Sequence, residues 1–330
     1  MKIFKKILSI FLKVSISVIL LIFLFHKVDT KNLLEYLKNA DKLLLFFAFC
    51  ISLISYVLAI LRWEMLLKAA KIYLPLKRVI ISFAGGVFFN LFLPSTIGGD
   101  LMRSIDLSAH TKRPREVIAT VLLDRLSGYV GLVILILLAV SFGWRLIQDT
   151  TVLFAVAVIT GVLIVALVIL FNKFLYEKIN KLLHSPNSGK FRELIKDLHQ
   201  EIHIFRHHKK LIINNLILSL LIQLILPITC FIIALSLGVR LNIIYFLVFV
   251  PIIAAITLLP ISIGGLGLRD AATIFFFAKA GMSEGSAFAM SLLSFLIMLL
   301  CGIIGGIIYV FTVRHRRIQH HQTPLARLYQ

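Results

Sequence analysis

Leu93-Pro94-Ser95-Thr96-Ile97-Gly98-Gly99-Asp100-Leu101-Met102-Arg103 and Leu259-Pro260-Ile261-Ser262-Ile263-Gly264-Gly265-Leu266-Gly267-Leu268-Arg269 agree at six positions, with Leu, Pro, Ile, a Gly pair and Arg at identical offsets. The two copies lie 260 − 94 = 166 residues apart, close to half of the 330-residue chain. Each sits in an apolar region, 79 to 99 and 243 to 270. Pro removes a backbone donor and Gly loosens the backbone, so both regions read as broken or re-entrant helices rather than plain spans.

Around these breaks the chain is strongly apolar: 60% hydrophobic residues, 15% charged residues and a mean hydropathy of +0.99. Such values lie outside the range of soluble globular domains. Six stretches are long enough to cross a bilayer as helices: 7 to 25, 43 to 61, 117 to 141, 151 to 171, 211 to 238 and 286 to 313. The first follows Lys2, Lys5 and Lys6 but ends in Phe25-His26-Lys27 without a small-residue cleavage site, so it reads as a retained anchor. The fold class expected is an all-α polytopic membrane protein with six full spans and two Pro/Gly-broken re-entrant segments.

The 35 Lys and Arg outnumber the 15 Asp and Glu, and in a membrane chain such a surplus sets orientation before it suggests nucleic acid. With six spans, 25 of the basic residues fall on the face that carries both termini and 8 on the other, which predicts both termini in the cytoplasm of a cell membrane. Each half then holds three spans, and an odd number turns the second half upside down. The layout expected is a first membrane repeat over 1–145, an inverted second repeat over 146–313 and a basic tail over 314–330.

Breaks inside the membrane expose backbone groups that lipid does not satisfy, so they must be buried in protein or line a wet cavity. Charges accompany them. Asp100 and Arg103 follow the first Gly pair, Arg269 and Asp270 the second, and Asp124-Arg125 lies well inside the third span. Intramembrane ionisable groups persist when they pair or face a cavity, and a guanidinium fork beside a helix N-terminus suits a phosphate-bearing anion. Asp100, Arg103, Asp124, Arg125, Arg269 and Asp270 are therefore candidates for a polar path, with pairs that hold helices together as the alternative, and Pro94, Gly98, Gly99, Pro260, Gly264 and Gly265 would shape the breaks.

Arg62, Trp63 and Glu64 at the end of the second span read as interfacial anchors, with a gating role as the alternative. Residues 190 to 208 carry the apolar stripe of an amphipathic surface helix within the 172–210 connection. His199, His203 and His207 on it read as a solvated face, so no metal is expected. Cys50, Cys230 and Cys301 lie in apolar runs and read as packing residues. Gly302 and Gly306 form a small-residue pair that suits either a partner helix or an internal one.

Arg62-Trp63, Pro94 with Gly98-Gly99-Asp100 and Arg103, Asp124-Arg125 with Gly128, and Pro260 with Gly264-Gly265, Gly267 and Arg269-Asp270 resemble the flippase-like family named for the transmembrane region of lysylphosphatidylglycerol synthase. In the full-length synthases a soluble aminoacyl-transferase domain follows this region. The chain runs only 17 residues past its last span, so the transferase activity is not expected of it. The resemblance implies a flippase-like protein that binds or translocates an anionic lipid or lipid-linked head group. Membrane lipids and a lipid-modifying enzyme are the partners expected, with no cofactor and no nucleic acid. The alternatives are a membrane enzyme or accessory subunit of lipid modification, with Asp100, Asp124 or Asp270 as acid or base, and a small-solute transporter.

Overall fold

The computed structural model describes residues 15–20, 22–26, 30–92, 98–145, 150–171, 209–258, 262 and 265–326, with side chains as far as Thr312. The start of the first span, the segment 190 to 208 with its three histidines, and Pro94, Pro260 and Gly264 lie outside those residues. Regular structure among the described residues is helical: α1 Ser15–His26, α2 Thr30–Asn39, α3 Lys42–Ala69, α4 Leu76–Phe92, α5 Gly98–Thr111, α6 Pro114–Gly143, α7 Thr150–Phe171, α8 Lys209–Ser236, α9 Ile243–Thr257, α10 Leu268–Lys279 and α11 Glu284–Ala326. Among the described residues, four helices are long and apolar enough to cross a membrane: α3, α6, α8 and the Glu284–Thr312 part of α11.

Both Pro/Gly regions separate paired helices: α4 ends at Phe92 and α5 begins at Gly98, while α9 ends at Thr257 and α10 begins at Leu268. In each case the second helix packs against the first. At the first break, a Cβ on Gly99 would collide with the carbonyl oxygen of Gly86, so only glycine lets α5 fold back this closely on α4. The Asn90 side chain accepts a hydrogen bond from the Gly99 N–H at 2.9 Å and caps the N-terminus of α5.

Helix α3 runs to Ala69, well beyond the end expected near residue 61, because Arg62 is neutralised inside the bundle rather than released to water. Its neighbour α8 is antiparallel to it. The Asp41 N–H donates to the Ser236 carbonyl at 2.9 Å, Ser52 meets Thr229 at 3.4 Å and Arg62 donates to Ser219 at 3.1 Å, so partners descend in number as α3 ascends. Both helices end alike. A left-handed residue, Lys71 with φ 56° or Gly238 with φ 77°, follows the last turn, and the next N–H returns to Leu67 or Ala234.

The contacts continue that pairing of elements: α4 packs on α11, α9 packs on α6. Gly302 and Gly306 face Leu91 and Phe88 of α4, and Gly305 approaches the Ala84 carbonyl, so the small-residue face serves an internal helix. The main core gathers Phe246, Phe249, Phe277 and Phe288, with Cys230 and Cys301 packed among them. On α3, by contrast, Phe46, Phe47, Ile54 and Val57 are exposed, as suits a surface whose solvent is acyl chain.

Replacing Gly99 by Ala should destabilise the bundle by roughly 1–3 kcal/mol through forced separation of α4 and α5. Thermal unfolding in detergent should show a lower midpoint, and a midpoint equal to wild type would mean that the close approach is not needed.

Candidate functional site

Three helices converge on one buried carboxylate. Asp124, about ten residues into α6 and so ~15 Å from its start, is 4% exposed. Its Oδ1 accepts from Arg62 Nε of α3 at 2.8 Å, and its Oδ2 accepts from Arg103 Nη2 of α5 at 2.9 Å. Arg103 Nη2 also lies 3.0 Å from Asp100 Oδ1, while Asp100 Oδ2 is bonded to Arg125 Nε. Arg125 Nη1 reaches the Tyr129 hydroxyl at 3.2 Å, and Arg62 Nη1 the Ser219 hydroxyl of α8 at 3.1 Å.

The three arginines, the two aspartates and Tyr129 border a cavity of about 260 Å³ that Asn90, Gly99, Gln223 and Leu258 also line. Three guanidiniums face two carboxylates, leaving a formal surplus of one positive charge. Arg103, which contacts both carboxylates, is 4% exposed, and its Nε and Nη1 have no hydrogen-bond partner among the described residues. Its guanidinium lies over Trp63 at 4.8 Å and Phe83 at 5.5 Å, faces that stabilise a cation but satisfy no N–H in the plane. Both carboxylates are held by two guanidiniums each.

Of the residues assigned to the polar path, Asp100, Arg103, Asp124 and Arg125 line this cavity. Arg269 and Asp270 do not. They form a separate cluster in which Asp270 Oδ1 accepts from Arg269 Nη2 at 2.9 Å and from Ser291, and Oδ2 caps the Gly267 N–H at 2.9 Å. Gly98 and Gly99 start α5, and Gly265, at φ 78°, lies in the turn before α10. Arg62 and Trp63, read as interfacial anchors, are 7% and 0% exposed. Arg62 is a member of the network and Trp63 donates from Nε1 to Thr120 at 3.3 Å. Glu64 alone of the three sits at the edge, bound to Lys68 at 2.8 Å.

Several participants escaped the sequence reading. Ser219 and Gln223 are polar residues inside an apolar span, a signal of their own, and Asn90 sits just before the first break. Arg78, Ser82 and Asp106 form a second buried cluster, with Arg78 Nη2 2.8 Å from Asp106 Oδ2, that ties the start of α4 to the end of α5.

Residues 10–306 match the family model described as the lysylphosphatidylglycerol synthase transmembrane region. The chain belongs to that family. A UPF0104 membrane protein of Pyrococcus horikoshii is 21% identical over 322 residues, covering 90% of this chain and 96% of the relative. No solved structure matches. The apolar helices and the family together make this a membrane protein, and the cavity lies within the family's matched region.

Asp124→Asn would leave Arg62 and Arg103 buried without their shared counter-charge. A loss of about 3–5 kcal/mol is expected, measured as a lowered unfolding midpoint in detergent. Equal stability of variant and wild type would show that Asp124 does not hold the three helices.

Proposed function

We propose that this family member binds the phosphate-bearing head group of an anionic lipid in the Arg62–Arg103–Arg125 cavity and carries it between leaflets. One observation supports this above the others: Arg103 keeps two buried nitrogens without partners beside a cavity whose formal charge is positive. Each of these N–H groups is a charge-assisted donor for an oxyanion oxygen. Buried donors left unmade are costly, so an oxyanion that reached them as the helices moved would gain binding energy.

Movement between leaflets is supported by the pairing of α3 with α8. The bonds Arg62–Ser219 and Ser52–Thr229 hold side by side two antiparallel helices, one from each half of the chain. A two-fold axis lying across such a pair, in the membrane plane, would relate the two halves as inverted repeats. In this reading the halves 1–145 and 146–313 are inverted repeats with six spans and two re-entrant breaks, and the excess of Lys and Arg on one face places both termini on the cytoplasmic side. Rocking of one repeat against the other would present the cavity to each leaflet in turn. In this reading Arg269 and Asp270 at the second break form the far end of the polar path.

Proteoliposomes containing the protein should exchange a fluorescent anionic phospholipid faster than empty vesicles. Arg103→Ala should lower that rate by roughly tenfold or more, the loss of a charge-assisted contact. Exchange that is absent in wild type, or unchanged by Arg103→Ala, would contradict the proposal.

A further inference from the structure

We propose that a basic groove at the membrane surface, outside the Arg62–Arg103 cavity, is a recruitment site for the phosphate of an anionic membrane lipid, which reaches the cavity along the seam between α3 and α8. The inference rests on the reading of the cavity as an anion path.

The groove has a volume of about 510 Å³ and is lined by Glu64, Met65, Lys68, Lys71, Tyr73 and Leu211. Lys68 pairs with Glu64 at 2.8 Å, so Lys71 supplies a formal surplus of one positive charge. Lys71 is held in place by its backbone. It occupies the left-handed position after α3, a conformation unusual for a side chain other than glycine, and Arg113 Nη1 binds its carbonyl at 3.2 Å.

The lipid nature of the ligand follows from the same helix. Ile54, Val57 and Leu61 are 52%, 55% and 40% exposed, and together with Lys68 they fall on one face of α3 by helical spacing. A phosphate at Lys68 and Lys71 would therefore place its acyl chains on an apolar stripe running directly below. A free phosphate has no use for that stripe.

Between groove and cavity the seam changes character in order. Leu66 and Leu123, with Ala69 and Leu211 against them, form a small apolar cluster beneath the groove. Next along α8 comes Asn215, 5% exposed, whose Nδ2 has no hydrogen-bond partner. Its carbonyl accepts from Ser219 at 2.7 Å, and Ser219 in turn accepts from Arg62 at 3.1 Å. Leu211, Asn215, Ser219 and Gln223 recur every four residues, hence on one face of α8 that leads from groove to cavity. Asn215 is an amide donor buried midway, positioned to hold a phosphate oxygen as the apolar cluster parts.

Spin-labelled phosphatidic acid and phosphatidylcholine, each in bilayers of phosphatidylcholine containing the protein, report the preference of the groove through their motionally restricted fractions. Lys68→Gln with Lys71→Gln should reduce the preference for phosphatidic acid by roughly tenfold, and Lys68→Arg with Lys71→Arg should restore it. Asn215→Leu should leave that preference in place and slow exchange of the fluorescent anionic lipid by roughly tenfold. A preference insensitive to the lysines, or abolished by millimolar inorganic phosphate, would overturn a lipid site in the groove. Exchange unaffected by Asn215→Leu would overturn the route. Lysine-dependent preference in a wild-type protein that exchanges no lipid would uphold the groove and overturn translocation instead.

Discussion

Both oxygens of Asp124 are bound by guanidiniums from different helices, and the arrangement of α3, α5 and α6 depends on that shared carboxylate. A charge pair at this depth is not in itself strongly stabilising, because removing the ions from water offsets much of their attraction. What it imposes is geometry. Arg62 must point inward, so α3 continues past Trp63, and α5 must fold back until Arg103 meets Asp124, which in turn demands the Gly86–Gly99 approach. The cavity is the space left over beside the network, and its sign follows from three arginines sharing two aspartates.

The two breaks start from one sequence pattern and arrive at different chemistry. Around Arg269 the anion is built in: Asp270 accepts from the guanidinium, from Ser291 and from the N–H that opens α10. Around Arg103 the N-terminus of α5 is capped by neutral Asn90, and two guanidinium nitrogens stay open beside a cavity. The closed cluster shows how an oxyanion is satisfied at such a break. At the first break Arg103 is paired with Asp100 and Asp124 yet keeps two nitrogens without a described partner, and the groove at the end of α3 adds a further basic surface.

Much of this was legible before any coordinates. Pro94 with Gly98-Gly99 and Pro260 with Gly264-Gly265 marked where α4 and α9 end; Pro227 and Pro251 lie inside helices, so Pro together with a Gly pair, rather than Pro alone, carried that signal. Four of the six charges assigned to a polar path do share one cavity. Sequence depth along a span, however, says nothing about which way a side chain faces. Arg62 and Trp63 look interfacial by position, yet both turn into the bundle because Asp124 and Thr120 await them on α6. Ser219 and Asn215 draw their meaning from α3 lying antiparallel to α8, a tertiary fact with no local signature. The separation of Arg269 from the cavity is likewise a matter of packing rather than of pattern.

Head-group selectivity in wild-type proteoliposomes probes the surplus charge of the cavity most directly. Anionic phosphatidylglycerol should exchange at least roughly tenfold faster than zwitterionic phosphatidylcholine, a ratio worth about 1.4 kcal/mol of discrimination by the formal surplus of one positive charge. Equal acceleration of both lipids would mean that the Arg62–Asp124–Arg103 network holds the helices together without selecting what passes between them.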